Sequence, residues 1–134
     1  MIRVYVDMVA DLFHVGHLNL IKKAKELGDV LIVGVHSDVD VESYKRIPII
    51  NEEDRYEIVK SCKYVDEVVG GAPLKITKEF LEEYKIDLVV HGDDISGEVL
   101  KQHEVPIKMG ILKIVSYTKG VSTTELINKI CKQS

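Results

Sequence analysis

Two histidines, His14 and His17, stand three residues apart with Gly16 between them. They follow an apolar run directly and precede a helical pattern directly, so both imidazoles can face one small volume at a strand-to-helix corner. The first turn of a helix also presents free backbone N–H groups at the positive end of its dipole. Imidazole donors beside such an end suit a phosphate better than a metal ion. The spacing therefore predicts an anion site.

Polar residues also follow three other apolar runs that are predicted to be strands. These polar segments are residues 36–46, 91–94 and 117–124. Because the carboxyl ends of parallel strands lie at one edge of a sheet, we expect all these segments to converge on one site. Convergence would bring Lys45, Asp94 and Ser122 toward the two histidines.

Apolar periodicity predicts strands that alternate with helices along the chain. The strands are predicted at residues 2–9, 30–35, 65–69, 86–90 and 111–115. The helices are predicted at residues 18–27 and after caps at Asn51, Thr77 and Ser122, with an ambiguous segment at 95–105. The buried faces predicted for the Asn51 and Ser122 helices are Ile58, Val59 and Cys62, and Leu126, Ile127 and Ile130. This order predicts an α/β fold, a Rossmann-like doubly wound sheet of about five parallel strands in one domain.

Composition narrows the possible partners and the cellular location. The formal net charge of -4 argues against a nucleic-acid partner or an anionic membrane surface. Cys62 and Cys131 form no CxxC pair and are predicted to be reduced thiols that fill the core of a cytoplasmic protein. We expect residues 1–134 to form a single domain with no membrane-spanning segment.

The predicted site favours chemistry on phosphate groups. Two helix N-termini, two imidazoles and Lys45 suit a polyphosphate, and no activated Ser or Cys nucleophile is evident. This donor set indicates direct phosphoryl-group transfer, in which a protein positions two anions and stabilises charge on the transferring phosphate. Carboxylates such as Asp11, Asp93 and Asp94 could hold Mg²⁺ or bind ribose hydroxyls.

Several motifs together resemble a known family. His14-Val15-Gly16-His17 resembles the His-x-Gly-His signature of the nucleotidylyltransferase superfamily, and Gly120-Val121-Ser122-Thr123-Thr124 is similar to a motif of its cytidylyltransferases. The resemblance implies transfer of CMP from CTP to choline phosphate, ethanolamine phosphate or glycerol 3-phosphate, with release of pyrophosphate. It further implies Mg²⁺ as cofactor and a homodimer.

The same resemblance implies roles for individual residues. His14 and His17 would stabilise the α-phosphate of CTP during transfer, and Lys45 would bridge the phosphates of the two substrates. Ser122 and Thr123 would bind the β- and γ-phosphates.

Supporting roles are implied for further residues. Asp11 would lie close to the phosphate or metal, Arg55 would contact phosphate or anchor the site, and Asp94 would bind the nucleotide. Asp38 and Asp66 would line the acceptor pocket. The other motif positions implied in substrate binding are Gly16, Thr118 and Gly120.

The sequence departs from the family pattern at four positions. Tyr117 stands where an arginine is usual, although Lys119 restores a positive charge nearby. Met8 and Ala10 replace a usual glycine and phenylalanine beside the signature. Leu74 replaces the Trp of choline enzymes and the Tyr of ethanolamine enzymes, which removes an aromatic face for a quaternary ammonium and weakens choline phosphate as acceptor.

These departures leave three alternatives open. The chain could be an adenylyltransferase of the same superfamily, such as one that makes FAD from FMN. It could transfer a cytidylyl group to a phosphonate, because the mechanism needs only a nucleophilic oxygen on phosphorus. It could also be a non-catalytic nucleotide-binding module, because the usual arginine is missing at Tyr117.

Overall fold

Five parallel strands form one sheet, with helices on both faces, in the computed structural model, which describes residues 1–133. The strands are β1 (Arg3–Met8), β2 (Val30–Val35), β3 (Glu67–Gly70), β4 (Leu88–Gly92) and β5 (Leu112–Val115). The helices are α1 (Val15–Glu26), α2 (Asp38–Glu42), α3 (Glu52–Lys60), α4 (Lys78–Glu83), α5 (Gly97–Gln102), α6 (Glu104–Lys108) and α7 (Thr123–Gln133). The Rossmann-like doubly wound fold expected from the sequence is confirmed.

The strand order β3-β2-β1-β4-β5 reverses direction between β1 and β4. The chain builds one half of the sheet on one side of β1 and then crosses to the other side. In open α/β sheets, ligands bind beyond the carboxyl ends of the strands at such a switch point. The topology therefore predicts a ligand site beside the residues that follow Met8 and Gly92.

Alternating side chains of the sheet build two hydrophobic layers. Val4, Val6 and Met8 of β1 pack into one layer with α1, while Tyr5 packs into the other with the residues of α4. By the two-residue period of a strand, Asp7 faces the same side as Tyr5. An apolar strand thus ends in a carboxylate that is buried, with only 6% of its surface exposed.

Most predicted elements are present, with shifted ends. Helix α1 begins at Val15 rather than at residue 18, because His14 caps it one turn earlier. Strand β4 starts at residue 88 rather than 86 and continues through His91 and Gly92. The ambiguous segment contains the two short helices α5 and α6, and the region predicted as a loop after β2 contains α2.

The predicted buried faces of two helices are wrong in part. Helix α3 buries Arg55 and Val59, whereas Ile58 is 40% exposed. No residue of α7 is buried, and Ile130 is 60% exposed. Cys131, which was expected in the core, is also exposed. In residues 1–133, no helix is both long enough and apolar enough to span a membrane.

One completely buried cation, Arg55, joins the loops at the carboxyl edge of the sheet. Its guanidinium donates hydrogen bonds to the backbone oxygens of Val9, His36 and Ile50 and to the carboxylate of Asp38, at distances from 2.6 to 2.9 Å. These acceptors come from three separate loops. A planar guanidinium with five fixed donors can satisfy them together, which an ammonium group cannot.

Replacement of Arg55 by Met should therefore lower the free energy of unfolding by about 3–5 kcal/mol, because it leaves several buried acceptors and the Asp38 carboxylate without their partner. Chemical denaturation with circular dichroism measures this change. Glu57→Met on the exposed face of the same helix is the matched control and should change the free energy by less than about 0.5 kcal/mol. Equal stability of the two variants would contradict the role of Arg55 as a structural hub.

Candidate active site

The turn between β1 and α1 places the paired histidines. Ala10 and Leu12 have positive φ angles of 58° and 54°, an uncommon conformation for residues other than glycine. This sharp turn delivers His14 to the N-cap of α1, with φ of -124° and ψ of -179°. The ring of His14 then packs against that of His17, with 3.9 Å between the ring centroids.

Backbone N–H groups fix the tautomers of both imidazoles. Nδ1 of His14 accepts a hydrogen bond from the N–H of Gly16 at 3.0 Å, and Nδ1 of His17 accepts one from the N–H of His14 at 3.1 Å. A ring nitrogen that accepts cannot carry the proton of a neutral imidazole, so that proton sits on Nε2. Both rings therefore present Nε2–H donors, and the Nε2 of His14 is buried with no hydrogen-bond partner.

Both imidazoles are neutral at neutral pH. Burial lowers the pKa of His14 below its ordinary value. Burial, followed by repulsion from His14, lowers the pKa of His17 to about 3. The pair can thus donate hydrogen bonds to an anion without first losing or gaining a proton.

Gly16 is required by the close approach of these rings. A Cβ atom at this position would lie 2.8 Å from Cε1 and 2.9 Å from Nδ1 of His14. Any side chain would therefore displace the imidazole and break its bond to the N–H of Gly16.

Asp11 fixes the loop that carries the cationic residues. Its two carboxylate oxygens accept hydrogen bonds from the backbone N–H groups of Ile49 and Ile50, each at 2.9 Å. Its backbone oxygen accepts a hydrogen bond from the hydroxyl of Thr123 at 3.0 Å. Asp11 thus connects three segments of the site, namely the first turn, the loop before α3 and the start of α7.

The start of α7 and the loop after α2 bring hydroxyl groups and cationic side chains together. Oγ of Ser122 accepts a hydrogen bond from the N–H of Glu125 at 3.1 Å, which leaves its hydroxyl hydrogen available to a ligand. Arg46 donates to Oγ1 of Thr124 at 3.3 Å, while its Nε is buried without a partner. Lys45 also lines the site.

These residues surround a cavity of about 490 Å³ at the carboxyl edge of the sheet. That volume lies within the usual range for small-molecule sites. Its wall includes His17, Lys45 and Ser122 and a second group, Asp7 with His36, His91 and His103. Asp7 projects from the sheet face opposite to the one covered by α1, the helix that carries His17.

Asp7 and the histidines beside it influence each other's charge. Burial alone would raise the pKa of Asp7, but the imidazoles of His103 and His36 outweigh this effect and hold the pKa well below its usual range. Burial in turn lowers the pKa of both imidazoles, and the carboxylate of Asp7 outweighs it, so their pKa values are raised. The surroundings therefore lower the pKa values of His14 and His17 and raise those of His36 and His103.

A sequence model of the cytidylyltransferase-like family matches residues 8–129. The chain belongs to this family. It is 45% identical over 131 residues to the ethanolamine-phosphate cytidylyltransferase of Dictyostelium discoideum, covering 96% of this chain and 36% of that protein. It is 41% identical over 139 residues to human choline-phosphate cytidylyltransferase A, covering 98% and 37%. The chain thus spans little more than a third of the length of these curated relatives.

Solved structures share the fold of this chain. The lipopolysaccharide core biosynthesis protein of Thermoplasma volcanium superposes with a TM-score of 0.72 at 31% identity, over 90% of this chain and 99% of that chain. Pantoate-beta-alanine ligase of Francisella tularensis has a TM-score of 0.55 at 17% identity, over 98% of this chain and 70% of that chain, which shows the shared fold alone.

The cavity brings together about half of the predicted site residues. Those in its wall are Asp11, His17, Lys45, Asp94, Ser122 and Thr123. His14 is not itself in this wall, but its ring packs against that of His17. Gly120 adopts a positive φ of 79° in the turn before Ser122. Thr118 lies outside the wall and accepts a hydrogen bond from the side chain of Asn19 at 2.9 Å, which fastens this turn to α1.

The prediction that Asp66 lines the acceptor pocket is wrong. Its carboxylate accepts hydrogen bonds from the N–H of Leu31 at 2.8 Å and from Lys25 at 2.7 Å. Leu31 lies near the amino end of β2, whereas the cavity lies beyond the carboxyl ends of the strands. Asp66 therefore ties α1 to the opposite edge of the sheet.

Two other predicted site residues lie outside the cavity wall. Arg55 directs all its described bonds to protein atoms, which corresponds to the anchoring role, one of the two roles expected for it. The carboxylate of Asp38 accepts from Arg55 at 2.7 Å and from the N–H of Glu52 at 3.3 Å.

Only some of the residues that depart from the family pattern line the cavity. Tyr117 and Met8 line the cavity, Ala10 forms the sharp turn beside it, and Leu74 is not in its wall. Lys119 is exposed and does not line the cavity, so the expectation that it replaces the missing arginine is not supported.

Sequence reasoning missed four residues of the cavity wall. Asp7 could have been found as a carboxylate at the carboxyl end of an otherwise apolar strand. No sequence pattern indicates that His36 and His103 lie beside Asp7. Likewise, no pattern indicates that Arg46 reaches α7.

The backbone hydrogen bonds predict the tautomers directly, because Nδ1 accepts from an N–H group in His14 and His17 but pairs with the carbonyl oxygens of Ala72 and Val99 in His36 and His103. At alkaline pH, long-range ¹H–¹⁵N spectra should show His14 and His17 protonated at Nε2, with His36 and His103 protonated at Nδ1. Acidification should leave His17 neutral through the range in which an ordinary histidine, with a pKa of about 6.5, becomes charged. A proton on Nδ1 of His14 or His17 would overturn this account of the anion site.

Proposed function

We propose that this chain transfers CMP from CTP to a small phosphorylated alcohol and releases pyrophosphate. The observation that carries the proposal is the pair of neutral Nε2–H donors at the start of α1, in which His17 lines the cavity and His14 is buried beside it without a partner. Membership of the cytidylyltransferase-like family and the names of the relatives support the choice of CTP.

The proposed reaction is a direct in-line displacement. An oxygen of the acceptor's phosphate attacks the α-phosphorus of CTP while the bond from that phosphorus to the oxygen bridging to the β-phosphate breaks. Pyrophosphate leaves with the bonding electron pair, so no covalent enzyme intermediate forms. Donors placed where negative charge accumulates stabilise such a transition state more than the bound substrates. We assign this task to His14 and His17.

The cations of the loop after α2 complete the proposed phosphate site. Lys45 neutralises repulsion between the two substrates, and Arg46, with a buried Nε that has no partner, takes the place of the arginine missing at position 117. The hydroxyl of Ser122 and the N-terminus of α7 bind the β- and γ-phosphates. Thr123 instead donates its hydroxyl to Asp11 and acts by positioning α7.

Mg²⁺ fits this site as an ion that arrives with CTP. Magnesium sites for nucleotides commonly use one or two carboxylates together with the substrate's phosphates. Both oxygens of Asp11 already accept backbone hydrogen bonds, whereas Asp94 lines the cavity with 61% of its side chain exposed. We therefore propose that Asp94 holds Mg²⁺ or the nucleotide, and that the ion neutralises charge on the pyrophosphate when bound.

We further propose that the chain forms a homodimer in the cytoplasm. Helix α7 carries Leu126, Ile127 and Ile130 on one side, yet none of its residues in the described part of the chain is buried. An apolar side left uncovered in this way favours association. Sedimentation equilibrium should give twice the chain mass, and a monomer at assay concentrations would contradict the proposal.

The first experiment measures pyrophosphate release with Mg²⁺ and each of CTP, ATP, UTP and GTP. The acceptors are ethanolamine phosphate, choline phosphate, glycerol 3-phosphate, an aminoalkylphosphonate and FMN. We expect turnover with CTP and a phosphorylated alcohol, with ethanolamine phosphate preferred to choline phosphate. Turnover with ATP and FMN would replace the proposal by adenylyl transfer, and CTP binding without any release would identify a non-catalytic module.

Substitution of either histidine by Asn tests the transition-state role. The Asn side-chain oxygen can still accept the backbone hydrogen bond made to Nδ1, but the Nε2–H donor is lost. Each variant should lower kcat by about 10²–10³-fold, as found for single oxyanion donors. Lys78→Met, on an exposed residue away from the cavity, should keep kcat, and near-normal kcat in H14N and H17N would refute the role.

A further inference from the structure

Three imidazoles surround the buried carboxylate of Asp7 at the far wall of the cavity. Nε2 of His103 lies 3.3 Å from Oδ1 of Asp7, and Nε2 of His36 lies 3.4 Å from its Oδ2. The ring of His91 stands edge-on to that of His103, with 4.8 Å between the ring centroids. Asp7, His91 and His103 each offer a ligand atom, and these atoms lie within 4.8 Å of one another.

Backbone carbonyl groups fix the hydrogen of these imidazoles on Nδ1, whereas the hydrogen of His14 and His17 lies on Nε2. Each of the three imidazoles pairs its Nδ1 with a backbone carbonyl oxygen: His36 with Ala72 at 3.0 Å, His91 with Gly92 at 3.0 Å and His103 with Val99 at 2.8 Å. A carbonyl oxygen only accepts, so each Nδ1 must carry the hydrogen. In the neutral ring, Nε2 then holds a lone pair.

In the neutral ring, the lone pair on Nε2 of His103 faces the Asp7 carboxylate, which cannot donate a hydrogen bond to it, whereas in the protonated ring Nε2–H pairs with that carboxylate. His103 is 1% exposed, and its Nε2 makes no hydrogen bond. Its 3.3 Å separation from Asp7 exceeds the roughly 2.7–2.9 Å of a charge-assisted N–H···O bond. Buried polar atoms almost always have a partner, so an atom without one calls for a ligand.

We propose that Asp7, His91 and His103 form a binding site for a divalent metal ion of the Zn²⁺ class, separate from any Mg²⁺ that accompanies the nucleotide. Two imidazoles and one carboxylate form a ligand set that suits zinc and cobalt better than magnesium. Imidazoles that ligate metals characteristically donate their other ring N–H to a carbonyl or carboxylate, which is the arrangement of His91 and His103.

The distances agree with a tetrahedral ion. Two ligand atoms that are each about 2.0–2.1 Å from zinc lie about 3.3 Å apart at a tetrahedral angle. This matches the 3.3 Å between His103 and Asp7, while His91, with a side chain 16% exposed, needs to move its ring toward them. All three residues line the cavity, so the fourth coordination position opens toward a water molecule or a substrate oxygen.

Other histidines provide internal controls. His36 faces Oδ2 of Asp7 on the opposite side of the carboxylate and lies outside the three-residue group. His14 and His17 carry their hydrogens on Nε2 and direct Nδ1 to backbone N–H groups, so neither nitrogen is available to a metal ion.

In the first test, the metal-free full chain is titrated with Co²⁺ in the presence of excess Mg²⁺ and without nucleotide, and binding is followed by optical absorption. In the second test, the zinc content of the chain is measured after equilibrium dialysis. We expect one equivalent per chain with the intense visible bands of tetrahedral cobalt. H91N and H103N should each weaken binding by more than about 100-fold, since loss of a direct ligand exceeds the 10–100-fold cost of losing an outer-shell partner. H17N should change it by less than about threefold, whereas H36N, which removes only an outer-shell partner of Asp7, should weaken it by at most about 10–100-fold.

Each other outcome overturns the proposal. Absence of stoichiometric metal binding, or equal losses of metal affinity in H36N and H103N, would mean that hydrogen bonds and ion pairs hold this cluster together without a metal ion. Loss of binding in H17N would place the metal at the nucleotide end of the cavity. Thermal unfolding of the metal-free variants verifies folding, and H91N, at the more exposed ligand, remains informative where H103N is destabilised.

Discussion

The hydrogen bond made by Nδ1 of each histidine decides what the cavity can bind. Backbone N–H groups donate to Nδ1 of His14 and His17, so their Nε2 atoms are donors. Backbone carbonyl groups accept from Nδ1 of His36, His91 and His103, so their Nε2 atoms are acceptors in the neutral ring. One residue type therefore builds an anion site and a cation-attracting site within a single cavity.

This arrangement depends on the loops being held in place. Arg55 binds backbone oxygens from three loops, and Asp11 binds backbone N–H groups of the loop before α3. Both residues are charged, buried and directed at the backbone. Both residues therefore position the polar wall of the cavity.

The two parts of the cavity suggest a division of tasks within the family. The donors at the starts of α1 and α7 suit the phosphates that every nucleotidyl transfer shares. The Asp7 group lies apart from them and combines one carboxylate with three imidazoles. Variation in this second wall can change which acceptor or ion is bound without altering the phosphate chemistry.

The sequence by itself determined the order of elements, the parallel α/β fold and the corner at which His14 and His17 meet. These follow from local patterns, because the apolar periodicity and the His14-to-His17 spacing depend only on neighbouring residues. The tertiary structure decided what depends on distant backbone atoms. In the folded chain, Asp66 lies at the opposite edge of the sheet and Arg55 is buried among the loops. His36 and His103 lie beside Asp7. The tautomers of those imidazoles depend on carbonyl groups that meet them only after folding, so no sequence pattern could reveal them.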